Sequence, residues 1–151
     1  DVLMVLRQLL RESVPIRDLR TIFETLADAG RETKNPYELT ERVRHRLARS
    51  ISARFKDERG RIAALVLDPR AEEAFRNGGP DAGAAQRVLA SLDGAARSFA
   101  GVSTPPVLLC APDVRRAVAD FLSRRIPGLS VLAYREVDPK ATVRTLGVVS
   151  A

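Results

Sequence analysis

A single cysteine, Cys110, is all the sulfur chemistry the 151 residues hold beyond one methionine. No internal disulfide can form, which argues against a stapled secreted domain and for a reducing compartment. No apolar run approaches the roughly 20 residues that span a bilayer, and the N-terminus has no signal-peptide layout. One histidine and one cysteine, His45 and Cys110, fall in different parts of the chain. Four-ligand zinc spacing is therefore absent. There are no internal repeats, no low-complexity tract and no block of like charge, although 25 Lys and Arg outnumber 19 Asp and Glu for a net charge of +6. Dispersed charge of that kind reads as a solvated, arginine-rich surface. The sequence opens at Asp1 without a methionine and runs straight into a helical pattern. It reads as a segment of a longer chain, whose parent is free to be a membrane protein.

What is present begins with helices. Val2, Leu3, Val5, Leu6, Leu9 and Leu10 recur at helical spacing, with Arg7, Gln8, Arg11 and Glu12 opposite. Val14-Pro15 breaks the pattern, because the residue before proline is pushed out of the helical region. A second helix is capped near Asp18, carries Leu19, Ile22, Phe23 and Leu26 as its apolar stripe, and ends at Ala29-Gly30. A polar loop over 31–35 leads to a third helix, with Pro36 in its first turn. Leu39, Val43, Leu47, Ile51 and Phe55 lie along one face of it, with Arg42, Arg44, Arg46, Arg49 and Arg54 mostly elsewhere. The charged, glycine-ended stretch Lys56 to Gly60 is the natural boundary, which divides the chain into a helical part, 1–58, and a second part, 59–151.

The second part has a different character. Ile62 to Leu67 is a short Ile/Val/Leu-rich run closed by Asp68-Pro69, the pattern of a buried strand. A short helix over 70–76, a break at Asn77-Gly78-Gly79-Pro80 and a longer helix over 81–99 follow. Val107–Cys110 is a second strand, Pro112-Asp113 starts a helix with Val114, Val118, Phe121 and Leu122, and Val131–Tyr134 and Val143–Val149 are further strands. Strand-helix alternation predicts a small α/β layer of about four strands with parallel crossovers. The fold class is therefore α+β overall, helices first and a small sheet second.

Little in this sequence carries chemistry. Cys110 ends a strand, and a free cysteine there packs as a small hydrophobe. The alternative is a reactive thiol beside the next helix start, which would make this half a small thiol enzyme. Gly78-Gly79 lacks the lysine of a phosphate loop, and no Gly-x-Gly-x-x-Gly occurs. Glu72 and Glu73 are adjacent on a short helix, point in different directions and read as a solvated face. The arginine-rich third helix raises nucleic-acid binding, but Glu38 and Glu41 are interspersed with the arginines and favour pairing within and between protein chains. No catalytic residue, metal ligand or cofactor site is assigned.

The run Leu9-Leu10-Arg11-Glu12-Ser13-Val14-Pro15-Ile16-Arg17-Asp18-Leu19-Arg20-Thr21-Ile22 resembles a signature of the FlhA/SctV (FHIPEP) family, the large export-gate subunit of type III secretion systems. Thr33-Lys34-Asn35-Pro36, then Leu39-Thr40-Glu41-Arg42-Val43-Arg44, resembles the family's "TKDP…LTEYVR" segment, with Arg42 where tyrosine is usual. Leu65-Val66-Leu67-Asp68-Pro69, Pro105-Pro106-Val107-Leu108-Leu109, Pro127-Gly128-Leu129-Ser130-Val131-Leu132 and Gly147-Val148-Val149 match later landmarks in order. The stretch between Asp68-Pro69 and the helix near Asp81 is shorter than in many members.

The resemblance implies a non-catalytic piece of the gate, its third (helical) and fourth (α/β) cytoplasmic subdomains. The parent would be a multi-pass inner-membrane protein whose cytoplasmic parts form a nonameric ring that docks the stalk protein, other export components and chaperone-substrate complexes. The segment itself would stay out of the membrane and bind no nucleic acid. The wording Thr33-Lys34-Asn35-Pro36 leans toward a flagellar over a virulence system. Ring closure needs heterologous faces, and Arg17, Asp18, Arg20, Glu41 and Arg44 are the polar residues expected to set subunit register. For Asp18 the competing role is to cap its own helix. The isolated segment is expected to be mostly monomeric at micromolar concentration.

Overall fold

The structure, a computed structural model, describes residues 1–151 and divides into two compact units. The first comprises Asp1–Ala53 together with a returning segment, Arg135–Asp138. Helix α1 spans Val2–Arg11 and buries Val5 and Leu9. It ends without glycine. Ser13 takes φ 61°, the Ser13 N–H donates to Leu10 O at 3.0 Å, and the Val14 N–H donates to Leu9 O at 2.9 Å. These two bonds close a Schellman turn, and the buried pair Leu9 and Val14 supplies its apolar contact. Helix α2 spans Leu19–Ala29. Its buried face is Ile22, Thr25 and Ala29, whereas Leu19 and Phe23 are 43% and 47% exposed. The stripe read from the sequence is therefore rotated, because a threonine that bonds back to the Thr21 carbonyl at 2.7 Å takes an inner position.

Helix α3 spans Pro36–Arg46 and packs against both α1 and α2. The continuous helix expected to Phe55 is interrupted. Leu47 leaves helical geometry, and a short α4 follows over Ala48–Ala53. The apolar face survives the break, since Leu39, Val43, Leu47, Ile51 and Phe55 are all buried.

The second unit comprises Arg54–Tyr134 and Pro139–Ala151. Strand β1 spans Arg61–Leu67, α5 Pro69–Arg76, α6 Ala82–Ala95, β2 Val107–Cys110, α7 Arg115–Ser123, β3 Ser130–Ala133 and β4 Thr142–Val149. Asp68 and Asp81 cap α5 and α6 through the N–H groups of Arg70 and Ala84, each at 2.8 Å. Helix α6 tightens into a 3-10 turn over Ala96–Phe99. Tyr134, expected at the end of a strand, instead opens the 3-10 turn Tyr134–Glu136.

The four strands are parallel in the order β3-β2-β1-β4, in line with the α+β class. β1 and β2 are apolar almost throughout, as strands covered on both faces must be. Leu65, Leu67, Leu108 and Cys110 meet Phe75, Val88, Leu92, Val118 and Leu122 in one core. No helix is long and apolar enough to cross a membrane.

Candidate docking and assembly surface

The five polar residues singled out in the helical unit are placed in different surroundings. Asp18 caps α2. Its Oδ1 accepts the Thr21 N–H at 3.1 Å, and its Oδ2 accepts the Thr21 hydroxyl at 2.7 Å. The Thr21 hydroxyl, then the Thr21 N–H, hold the Asp18 carboxyl below its usual range. Arg17 and Arg20 flank it in solvent, and the Arg20 Nε donates to Glu24 Oε1 at 3.0 Å one turn along. Glu41 is half-buried on α3. The start of α2 thus presents Leu19 and Phe23 in the open, bordered by Arg17, Asp18 and Arg20.

Arg44 departs from expectation. The sequence expects it among the residues that set subunit register, yet its side chain is 2% exposed. Its Nε donates to Glu136 Oε2 at 2.7 Å and its Nη2 to Glu136 Oε1 at 3.1 Å. Glu12 Oε2 lies 3.8 Å from Nη1. Glu136 is 1% exposed and arrives from 92 residues away. The same returning segment is fixed again where the Asp138 N–H donates to Ser52 Oγ at 3.0 Å. A planar guanidinium matches a carboxylate through two parallel bonds, so Arg44 serves the interior of this unit. Sequence reasoning missed Glu136 because no local pattern links a residue in a 3-10 turn between strands to a helix so far upstream.

A shallow groove of about 450 Å³ opens between α2 and α3 and reaches Arg135. The ion pairs Arg42–Glu32 and Arg46–Asp28 line it, and His45 is exposed at its side. Polar walls and paired charges make it a poor seat for an apolar molecule.

In the α/β unit, the sequence pattern puts Glu72 on a solvated face. It is instead 7% exposed, and its Oε2 accepts the Ala111 N–H just past β2. Burial, followed by the nearby Glu72 and Cys110, pushes the Tyr134 hydroxyl above its usual range. Arg115 is fully buried and donates to Val131 O at 3.0 Å, joining α7 to β3. Cys110 is 0% exposed, beyond the reach of a substrate. No three of the His, Cys, Asp and Glu side chains converge where a metal would sit. The polar side chains described above act as caps, staples and surface charges.

The FHIPEP family model matches residues 1–142. The flagellar biosynthesis protein FlhA of Bacillus subtilis is 35% identical over 161 residues, covering 99% of this chain and 24% of that protein. The chain thus spans about a quarter of the length of that relative. Among solved structures, Chlamydia pneumoniae CdsV in its complex with CdsO superposes with a TM-score of 0.84 at 30% identity, over 95% of this chain and 44% of that one. Nonameric EPEC SctV-C superposes with a TM-score of 0.80 at 28% identity, over 96% and 46%. Helices and parallel sheet, the ordered landmarks along the sequence and these likenesses agree that the chain belongs to the FHIPEP family.

Proposed function

We propose that the chain is a non-catalytic cytoplasmic piece of an export gate, acting through a ring contact and a docking surface. Family membership carries the export role. The ring contact is supported by the open shoulder of α2, where Leu19 and Phe23 are exposed within a border of Arg17, Asp18 and Arg20. An apolar centre with a charged rim, rich in aromatic and arginine side chains, is the composition of protein interfaces. SctV-C of EPEC is nonameric, and CdsV of Chlamydia pneumoniae is found with CdsO. In this reading the intact protein forms a comparable ring and binds a stalk-type partner and chaperone-substrate complexes. The parent sits in the bacterial inner membrane and this segment lies on its cytoplasmic side, with a flagellar system favoured.

Arg17, Asp18, Arg20 and Glu41 are assigned to the subunit contact, Asp18 while also capping α2. Arg44 acts one step back by holding α3 in place. The test is charge reversal, Arg17→Glu with Arg20→Glu, in the full-length protein. The expected outcome is loss of the ring in negative-stain images, with unchanged circular dichroism and melting of the isolated segment. An intact ring from correctly folded variant protein would remove the assignment.

A further inference from the structure

We propose that the outer edge of β4 accepts an extended, acidic segment of a partner protein as a fifth strand of the sheet. β4 pairs only with β1 and ends the sheet. At eight residues it is twice the length of β3 at the opposite edge, whose residues are mostly buried. Its sequence, Thr142-Val143-Arg144-Thr145-Leu146-Gly147-Val148-Val149, is rich in β-branched residues and free of proline. Val143 and Val148 are 38% and 55% exposed, and Thr142, Arg144 and Thr145 beside them are exposed as well. Edges of this length and composition template pairing with another chain unless they are blunted.

The backbone directions follow from two anchors. The Thr142 N–H donates to Gly60 O at 3.2 Å, and Val149 O accepts the Asp68 N–H at 2.8 Å, both on the β1 side. The register shift between Ala64 and Leu65 places Leu146 as one extra residue in β4. Alternation from both anchors, interrupted once by that bulge, leaves Val143, Thr145 and Val148 with N–H and C=O facing away from β1. Those groups are the ladder an incoming strand uses in β-augmentation.

Charge selects the occupant. Arg144 stands in the middle of the strand, and the α/β unit holds 14 Lys and Arg against 9 Asp and Glu. Two copies paired edge to edge would bring two Arg144 side chains onto one ribbon and two basic units together, and like charges on paired strands oppose association. An acidic strand gains where a second copy loses. The proposal does not depend on the ring contact of the helical unit, so failure of either leaves the other standing.

The test is a titration of the isotope-labelled 151-residue chain with an acetylated, amidated octapeptide of alternating Glu and Val, followed by NMR. Amide shifts centred on Val143, Thr145 and Val148 are expected. Exchanging Glu for Lys in the peptide, or Arg144→Glu in the chain, should each weaken binding by about tenfold or more through lost charge complementarity. N-methylation of alternate peptide amides should abolish binding. Val143→Pro removes only an outward-facing N–H, a position where edge strands tolerate proline, and it should abolish binding as well. If that variant fails to fold, the N-methylated peptide decides the same point. No binding at millimolar peptide, shifts centred away from β4, indifference to peptide charge, or concentration-dependent pairing of β4 with itself would each overturn the proposal.

Discussion

Asp113 shows how a single carboxylate ties the α/β unit together. It bonds through both oxygens to Arg76, whose Nε and Nη2 donate across 37 residues from the end of α5, while Nη1 reaches Glu73 at 3.1 Å. The Arg76 side-chain bond holds the Asp113 carboxyl below its usual range, and Asp113 in turn holds the guanidinium above its own. A carboxyl whose pKa is lower in the folded chain than in the unfolded one stabilises at pH values above the unfolded pKa, near 3.8. That contribution fades as acid carries the pH down through the folded value. The Asp113→Asn variant should therefore unfold at lower urea than the parent chain at pH 7. The two midpoints should converge as the pH falls through the folded-state value, where both side chains become neutral. Because the pair is largely solvent-exposed, the effect at pH 7 should be small and should shrink further in high salt. A difference that persisted undiminished below that value would mean that Asp113 acts through packing or an uncharged hydrogen bond.

Helices and strands were the most legible level of the sequence. Asp18 caps α2 where the sequence put a cap, and Asn35, Asp68 and Asp81 start their helices by the same bond, a local event between neighbours two or three residues apart. The strands at Leu65 and Leu108 were equally plain as short, continuous apolar runs. What escaped notice was fixed at longer range. The burial of Arg44 and that of Glu72 each depend on a partner, Glu136 and the Ala111 N–H, that no window of neighbouring residues contains. The candidate surface was half legible on the same terms. Arg17, Asp18 and Arg20 are exposed at the start of α2, as a charged helix start implies, whereas the exposure of Leu19 and Phe23 follows from how α2 meets α3. Two glycines test how element ends are built. Gly30 ends α2 with its N–H on Leu26 O at 2.9 Å, and an added Cβ would stand 2.7 Å from that same oxygen. Gly94, inside α6, has nothing within 4 Å of such a Cβ. Gly30→Ala should destabilise the chain by about 1–3 kcal/mol through overpacking, and Gly94→Ala should stabilise it by about 0.5–1 kcal/mol through helix propensity. Urea denaturation of both variants against the parent chain reads the two signs. Equal signs would mean that local sterics do not govern these sites.

At the scale of the whole chain, the path of the backbone matters more than any single contact. The polypeptide leaves the helical unit after Ala53, returns to it for Arg135–Asp138, and leaves again at Pro139. The return delivers Glu136 to Arg44 and the Asp138 N–H to Ser52. A helical unit cut from the chain at residue 58 would keep Arg44 in its interior and lose the carboxylate that answers it. Removing one partner of a buried ion pair costs about 3–5 kcal/mol, a large part of the stability of a small domain. The fragment 1–58 should therefore be unfolded or molten at 25 °C by circular dichroism and amide dispersion, although its helices are locally well specified. The same fragment carrying Arg44→Met should recover helicity, since an apolar side chain of similar length needs no counter-ion and fills the space left by the guanidinium stem. In the full chain, by contrast, Arg44→Met strands Glu136 and should destabilise. One substitution thus acts with opposite sign in the fragment and in the whole. A fragment as stable with arginine as with methionine would show that Arg44 swings to solvent when Glu136 is absent, and that the returning segment is an adornment of the helical unit, with no part in holding it together.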